Sequence, residues 1–142
     1  MGFGNPLTVR LRDLNGAISL GSDIESGMAG DMFAVTRMAL QAARYEANLA
    51  CRDSEGSAPL DMPIAAREAL EWATIGGARM LGIDDRTGSL SPGKQADILL
   101  LDARAINMRP VHDAVATILF HAGPQNVEAV WIAERPRNSL GV

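Results

Sequence analysis

Hydrophobic residues change their spacing along this chain, and the changes mark out its elements. Ala17-Ile18-Ser19-Leu20 is a short apolar run entered through Asn15-Gly16 and left through Gly21-Ser22-Asp23, which predicts a buried strand opening into a loop. From Asp31 to about Ala50 the spacing becomes helical. Val35, Met38, Ala42, Tyr45 and Leu49 are predicted to share one face, which needs a cover, while Arg37, Gln41, Arg44 and Asn48 line another. Asp31 suits the N-cap. The polar, turn-rich stretch from Arg52 to Pro59 reads as an exposed connection. A second helix is predicted from Pro63, a favoured first helical residue, with Ile64, Ala66, Leu70 and Ala73 on its buried side. Gly76-Gly77 then interrupts the pattern. Each glycine inside a helix costs about 1 kcal/mol relative to alanine, so the pair implies a break or a close backbone approach, ahead of a short helix ending at Gly82.

Beyond the turn Asp84-Asp85-Arg86-Thr87-Gly88 the period changes. Ile98 to Leu101 is a continuous apolar run, and Val127 to Ile132 has the β-branched and aromatic content of a strand; Ala96 to Leu101 and Val127 to Ile132 are predicted to be strands of one small sheet. Ala114 to Phe120 fits either helix or strand. The shift near Asp84 predicts a boundary, with residues 1–83 forming an α/β part and 84–142 a β part.

Composition narrows the possible partners. The chain has 142 residues, 47% of them hydrophobic, which is enough for one core without disulfides or a structural metal. Twelve arginines and Lys94 are scattered against a net charge of −4, so no basic stripe is available for nucleic acid. No apolar segment is long enough to cross a bilayer. A single cysteine, Cys51, fits a reducing compartment, and a cytoplasmic protein is expected.

Gly88-Ser89-Leu90-Ser91-Pro92-Gly93-Lys94 has the glycine and lysine spacing of a phosphate-binding loop. Its chemistry is wrong for that role. Gln95 replaces the hydroxyl that would hold Mg²⁺, Pro92 removes a backbone donor, and a strand-like run follows where a helix should begin.

Three stretches carry a different meaning: Leu20-Gly21-Ser22-Asp23, Ala73 to Gly82, and Gly88 to Asp102. Together they resemble the C-terminal portion of the metal-dependent amidohydrolase superfamily, in its deaminase and chlorohydrolase-like branch. The resemblance implies the last strand and helices of an incomplete (β/α)₈ barrel plus strands of a flanking small β-sandwich, with Gly88 to Asp102 as a turn leading into a sandwich strand. It also implies that Asp23 matches the aspartate at the end of the eighth barrel strand. In a complete barrel that residue would bind a divalent metal, zinc or iron, and accept a proton from the attacking water, so that a C–N bond of a small-molecule amine or amide is hydrolysed.

The chain also departs from the family pattern. It has no His-x-His pair, and its two histidines, His112 and His121, lie in the region matching the sandwich. Glu134 occupies a tight-turn position where the family has glycine, which predicts a disturbed terminal hairpin. Two readings stay open. One is a segment of a C–N hydrolase, inactive and metal-free by itself; the other is a non-catalytic truncated or interaction module. Open strand edges at Ala17–Leu20 and Ile98–Leu101 predict a homo-oligomer, as a dimer. Glu25, Ser26 and Asp31 are weaker candidates for substrate contact. Met28, Met32 and Met38 are weaker candidates for lining a pocket.

Overall fold

The computed structural model describes residues 6–27 and 30–137. Five helices, α1 (Thr8–Asp13), α2 (Met32–Glu55), α3 (Ala66–Trp72), α4 (Ile75–Leu81) and α5 (Ala114–His121), accompany three strands, β1 (Ile98–Leu101), β2 (Val127–Ile132) and β3 (Arg135–Pro136). The fold is mixed α/β. Its core gathers Ile18, Leu40, Ala43, Ile64, Ala69, Trp72 and Leu119. Burying these apolar groups together supplies the main stabilisation of the helical layer.

Helix α2 begins as its sequence predicts. Asp31 is extended and its carboxylate accepts the Ala34 N–H at 2.8 Å, satisfying a donor that the first turn leaves unpaired. The helix runs further than predicted, through Arg52 to Glu55, and ends on Gly56 in the left-handed region. Its buried face also differs from the one that apolar spacing marks. Val35, Thr36, Leu40 and Ala43 are buried, whereas Met38 and Tyr45 are 59% and 66% exposed. The arginines explain the rotation. Arg37 donates to the carbonyls of Leu119 (3.1 Å) and Ala122 (2.8 Å) at the end of α5. Arg44 donates to the Ile64 carbonyl at 3.0 Å and lies over the Phe120 ring at 5.7 Å. Long arginine stems therefore cover apolar surface while their heads satisfy carbonyls.

Helix α3 starts at Ala66 rather than near Pro63. Glu68 accepts the Ala65 N–H at 3.1 Å and takes Arg12 Nε from α1 at 2.6 Å, which ties the two helices together. Thr74 (φ −130°, ψ −98°) breaks the helical path before α4, and Gly82, in the left-handed region, terminates α4.

The sheet has the order β1-β2-β3. The antiparallel β1–β2 pair sets Ile98 opposite Trp131 and Leu99 opposite Val130, with a register shift between Leu100 and Leu101. Both predicted strands are thus present in one sheet, although the first begins at Ile98 rather than Ala96, because Asp97 is turned to the Thr87 hydroxyl and the Ala133 N–H; Ala114 to Phe120 proves to be helix. The β2–β3 hairpin forms despite Glu134. Ala133 (φ 49°) and Glu134 (φ 66°) both occupy the left-handed region that a two-residue hairpin turn requires. Their N–H groups bond to Asp97 Oδ1 (2.8 Å) and the Ala96 carbonyl (3.3 Å), and these bonds hold the turn without glycine. Buried Asn126 is satisfied through Asn107 at 2.9 Å and the Gly123 N–H at 3.0 Å.

The predicted strand at Ala17–Leu20 is not one. Residues 16–24 hold neither helix nor strand, and residues 17–23 make no backbone hydrogen bond among the described residues. A ladder needs a neighbour, and the described residues provide none there.

Candidate functional site

Asp23 closes the segment that follows α1. Its backbone has φ 55°, a region that aspartate tolerates better than most residues, and its side chain is exposed. No hydrogen bond or ion pair engages its carboxylate among the described residues. The segment is anchored upstream by Ile18, which is 7% exposed within the core. Beneath it lies the N-terminus of α4. A Cβ on Gly76 would stand 2.2 Å from the Ile18 carbonyl oxygen and 3.0 Å from that of Glu71, and one on Gly77 would meet Ser19 Oγ at 3.4 Å. Gly76 therefore serves close backbone approach, alongside the helix break at Thr74, while Gly77 makes only an ordinary contact.

On its other side α4 meets the Gly88 turn. Gly88 has φ +86°, and a Cβ there would lie 2.7 Å from Ala78 Cβ. Lys94 Nζ donates to the Asp84 carbonyl and, at 2.8 Å, to Ser89 Oγ, which closes the loop on itself. Asp97 joins the loop to the sheet, accepting Thr87 Oγ1 at 2.7 Å as well as the Ala133 N–H. The hydrogen bond from Thr87 and then that from Ala133 outweigh desolvation and hold the Asp97 carboxyl below the usual aspartate range.

The other candidates are placed separately. Asp31 is the α2 N-cap, Ser26 is exposed, and Glu25 begins a single turn of 3₁₀ helix. Met28 lies outside the described residues. Met32 lines a cleft of about 1010 Å³ with Phe33, Leu70, Ile75, Leu101 and Ile118, while Asp23 is not in its walls. The Cys51 thiol is pushed up, by desolvation first and then by Glu55, which leaves it a weak nucleophile. His112 and His121 are exposed. Among the described residues no group of three or more His, Cys, Asp or Glu side chains is placed to hold a metal ion. Protein zinc sites use three or four ligands, so the single carboxylate of Asp23 does not fit a metal centre by itself.

A helical layer joined to a small antiparallel sheet recurs in known proteins. The amidohydrolase family model covers residues 8–136, and the chain belongs to that family. It is 36% identical over 117 residues to a 5-methylthioadenosine/S-adenosylhomocysteine deaminase of Teredinibacter turnerae, covering 82% of this chain and 24% of that protein. It is 45% identical over 69 residues to an S-triazine hydrolase of Gordonia rubripertincta, covering 49% of this chain and 14% of the relative. The crystal structure of an adenosine deaminase from Xanthomonas campestris with bound zinc aligns with a TM-score of 0.72 at 33% identity, over 91% of this chain and 27% of that one. This chain spans about a quarter of the length of the first and third of these relatives. No helix among the described residues is long and apolar enough to cross a membrane.

Proposed function

We propose that this chain is the portion of an amidohydrolase that carries the last barrel strand, its helices and part of the flanking sandwich, and that it contributes Asp23 to hydrolysis of a C–N bond in a small-molecule amine or amide. The carrying observation is the 117-residue match to a deaminase, at 36% identity, by a chain in which the Gly-Ser-Asp stretch leaves the Asp23 side chain exposed. In this reading the remaining metal ligands belong to polypeptide outside these 142 residues. Asp23 supplies negative charge and a proton-accepting oxygen, and the chain alone neither retains metal nor turns over substrate. Metal analysis of the purified chain tests this, alone and mixed with polypeptide carrying the rest of a family enzyme. Zinc is expected only in the mixture, and turnover there should nearly vanish with Asp23→Ala. Stoichiometric zinc held by the chain alone after dialysis against a mild chelator would overturn the reading.

A second reading, self-association, is favoured by one observation. Among the described residues strand β1 lies at an edge of the sheet, with Leu99 and Leu100 exposed and Leu99 lining the cleft. An apolar strand with unpaired backbone groups invites pairing with another copy. Light scattering over a dilution series distinguishes the readings, since a monomer mass persisting at high concentration excludes the dimer.

A further inference from the structure

Residues 17–23 have no hydrogen-bonded neighbour among the described residues, yet they end on the one carboxylate to which the functional reading assigns chemistry. Among the described residues, packing rather than a ladder locates Asp23. The side chain of Ile18 is held in the core, which fixes one point of the segment. The second fixed point is the Ile18 carbonyl, seated where only a hydrogen is available on Gly76. A Cβ added there would come within 2.2 Å of the carbonyl oxygen, far inside any tolerated contact, and the atom it meets is backbone, which cannot swing away. Gly77 is different, because its added Cβ would meet only a serine hydroxyl at 3.4 Å.

We propose that Gly76 is a positioning residue for Asp23: the bare backbone at the start of α4 seats the Ile18 carbonyl and so sets the path on which Asp23 emerges. Helix α4 also packs against the Gly88 turn, whose own missing Cβ lets it close on Ala78 and Ile75. The helix therefore packs against both that turn and the Asp23 segment. Adding one methyl group at position 76 must displace either α4, against which the Gly88 turn also packs, or the segment, which no backbone hydrogen bond among the described residues holds. The segment moves. Residues 19–23 follow, and the left-handed turn at Asp23 changes with them.

This inference rests on Asp23 being the functional carboxylate, but its test reads backbone conformation in the 142-residue chain and needs neither metal nor turnover. Its failure is thus distinct from failure of that reading. NMR of the wild type, Gly76→Ala and Gly77→Ala supplies the measurement. In Gly76→Ala the amide resonances of residues 17–23 should shift, and the HN–Hα coupling at Asp23 should depart from its positive-φ value. In Gly77→Ala the Asp23 coupling should stay unchanged. A folded Gly76→Ala chain with an unaltered Asp23 coupling would overturn the proposal. If that variant does not fold, wild-type backbone order parameters decide. Values of about 0.85 through residues 18–23, as rigid as α4, support the seat, and values below about 0.6 refute it.

Discussion

The carboxylate of Asp97 accepts the backbone N–H of Ala133 at 2.8 Å, joining the residue that precedes β1 to the turn between β2 and β3. Its other oxygen takes the hydroxyl of Thr87 at 2.7 Å. One side chain therefore fastens the loop that closes on α4 to the far corner of the sheet. Both bonds favour the ionised form, so the folded-state pKa lies below the unfolded value. The contribution is present above the unfolded pKa of about 3.9 and disappears as pH falls through the lower folded value. Thermal melts between pH 5 and pH 2 should show a loss of stability that Asp97→Asn reduces. In that variant the Ala133 amide should also exchange faster with solvent at neutral pH.

Glu134 tests the turn itself. A non-glycine residue in the left-handed region costs roughly 1–2 kcal/mol, and Ala133 and Glu134 both occupy it. Glu134→Gly removes that cost while adding some freedom to the unfolded chain, so a net gain of about 1 kcal/mol is expected. Glu134→Val should destabilise, because a β-branched residue fits this backbone worst. Chemical denaturation of the two variants gives both values. A destabilised Glu134→Gly would mean that the glutamate side chain has a role beyond the turn.

The rotated face of α2 makes a sharper contrast. Leu40 is 0% exposed and Met38 is 59% exposed, although the helical spacing of apolar residues selects Met38 for burial. Leu40→Ala should cost about 2–5 kcal/mol, a large share of the stability of a domain this size, whereas Met38→Ala should stay within about 0.5 kcal/mol. Urea melts with matched m-values would establish the difference. Comparable losses at the two positions would restore the face that spacing alone predicts.

That contrast also shows where the sequence is legible. Features decided by neighbouring residues can be read directly: the Asp31 cap, the end of α4 at Gly82, and the apolar runs of β1 and β2. The face of α2 depends on Arg37 reaching carbonyls more than eighty positions away, which local periodicity does not contain. Ala17–Leu20 reads as a strand because it is apolar and turn-bounded, but strand formation also requires a partner, and none is supplied by the described residues. At the candidate site the identity of Asp23 is carried by the Gly-Ser-Asp resemblance, while its positive φ has no local signature. The glycine pair of α4 does signal close approach, which Gly76 alone makes. The carbonyl it approaches becomes visible only in three dimensions.

The last prediction concerns the loop whose lysine imitates a nucleotide site. Lys94 is held by the Asp84 carbonyl and Ser89 Oγ, and the loop leads into β1 rather than into a helix whose N-terminus could face a phosphate. Hydrogen bonds to a charged donor contribute about 1.5–3 kcal/mol, so Lys94→Met should lower stability by an amount near the lower end of that range, given partial exposure of the lysine. Gly88→Ala should cost more than Lys94→Met. It combines a backbone at φ +86° with a Cβ pressed to 2.7 Å from Ala78 Cβ and 3.1 Å from the backbone Cα of Ile75, neither of which can turn aside as the Ile75 Cδ1 can. Gly93 offers the internal comparison: it shares the left-handed backbone, φ +88°, but has nothing within 4 Å of an added Cβ. Gly93→Ala should therefore show the conformational cost alone, about 1–2 kcal/mol, and the excess in Gly88→Ala measures the packing against α4. Calorimetric titration of the wild type with ATP and Mg²⁺ should give no saturable heat. Saturable binding abolished by Lys94→Met would assign the loop to phosphate recognition, and equal costs at Gly88 and Gly93 would remove its contact with α4.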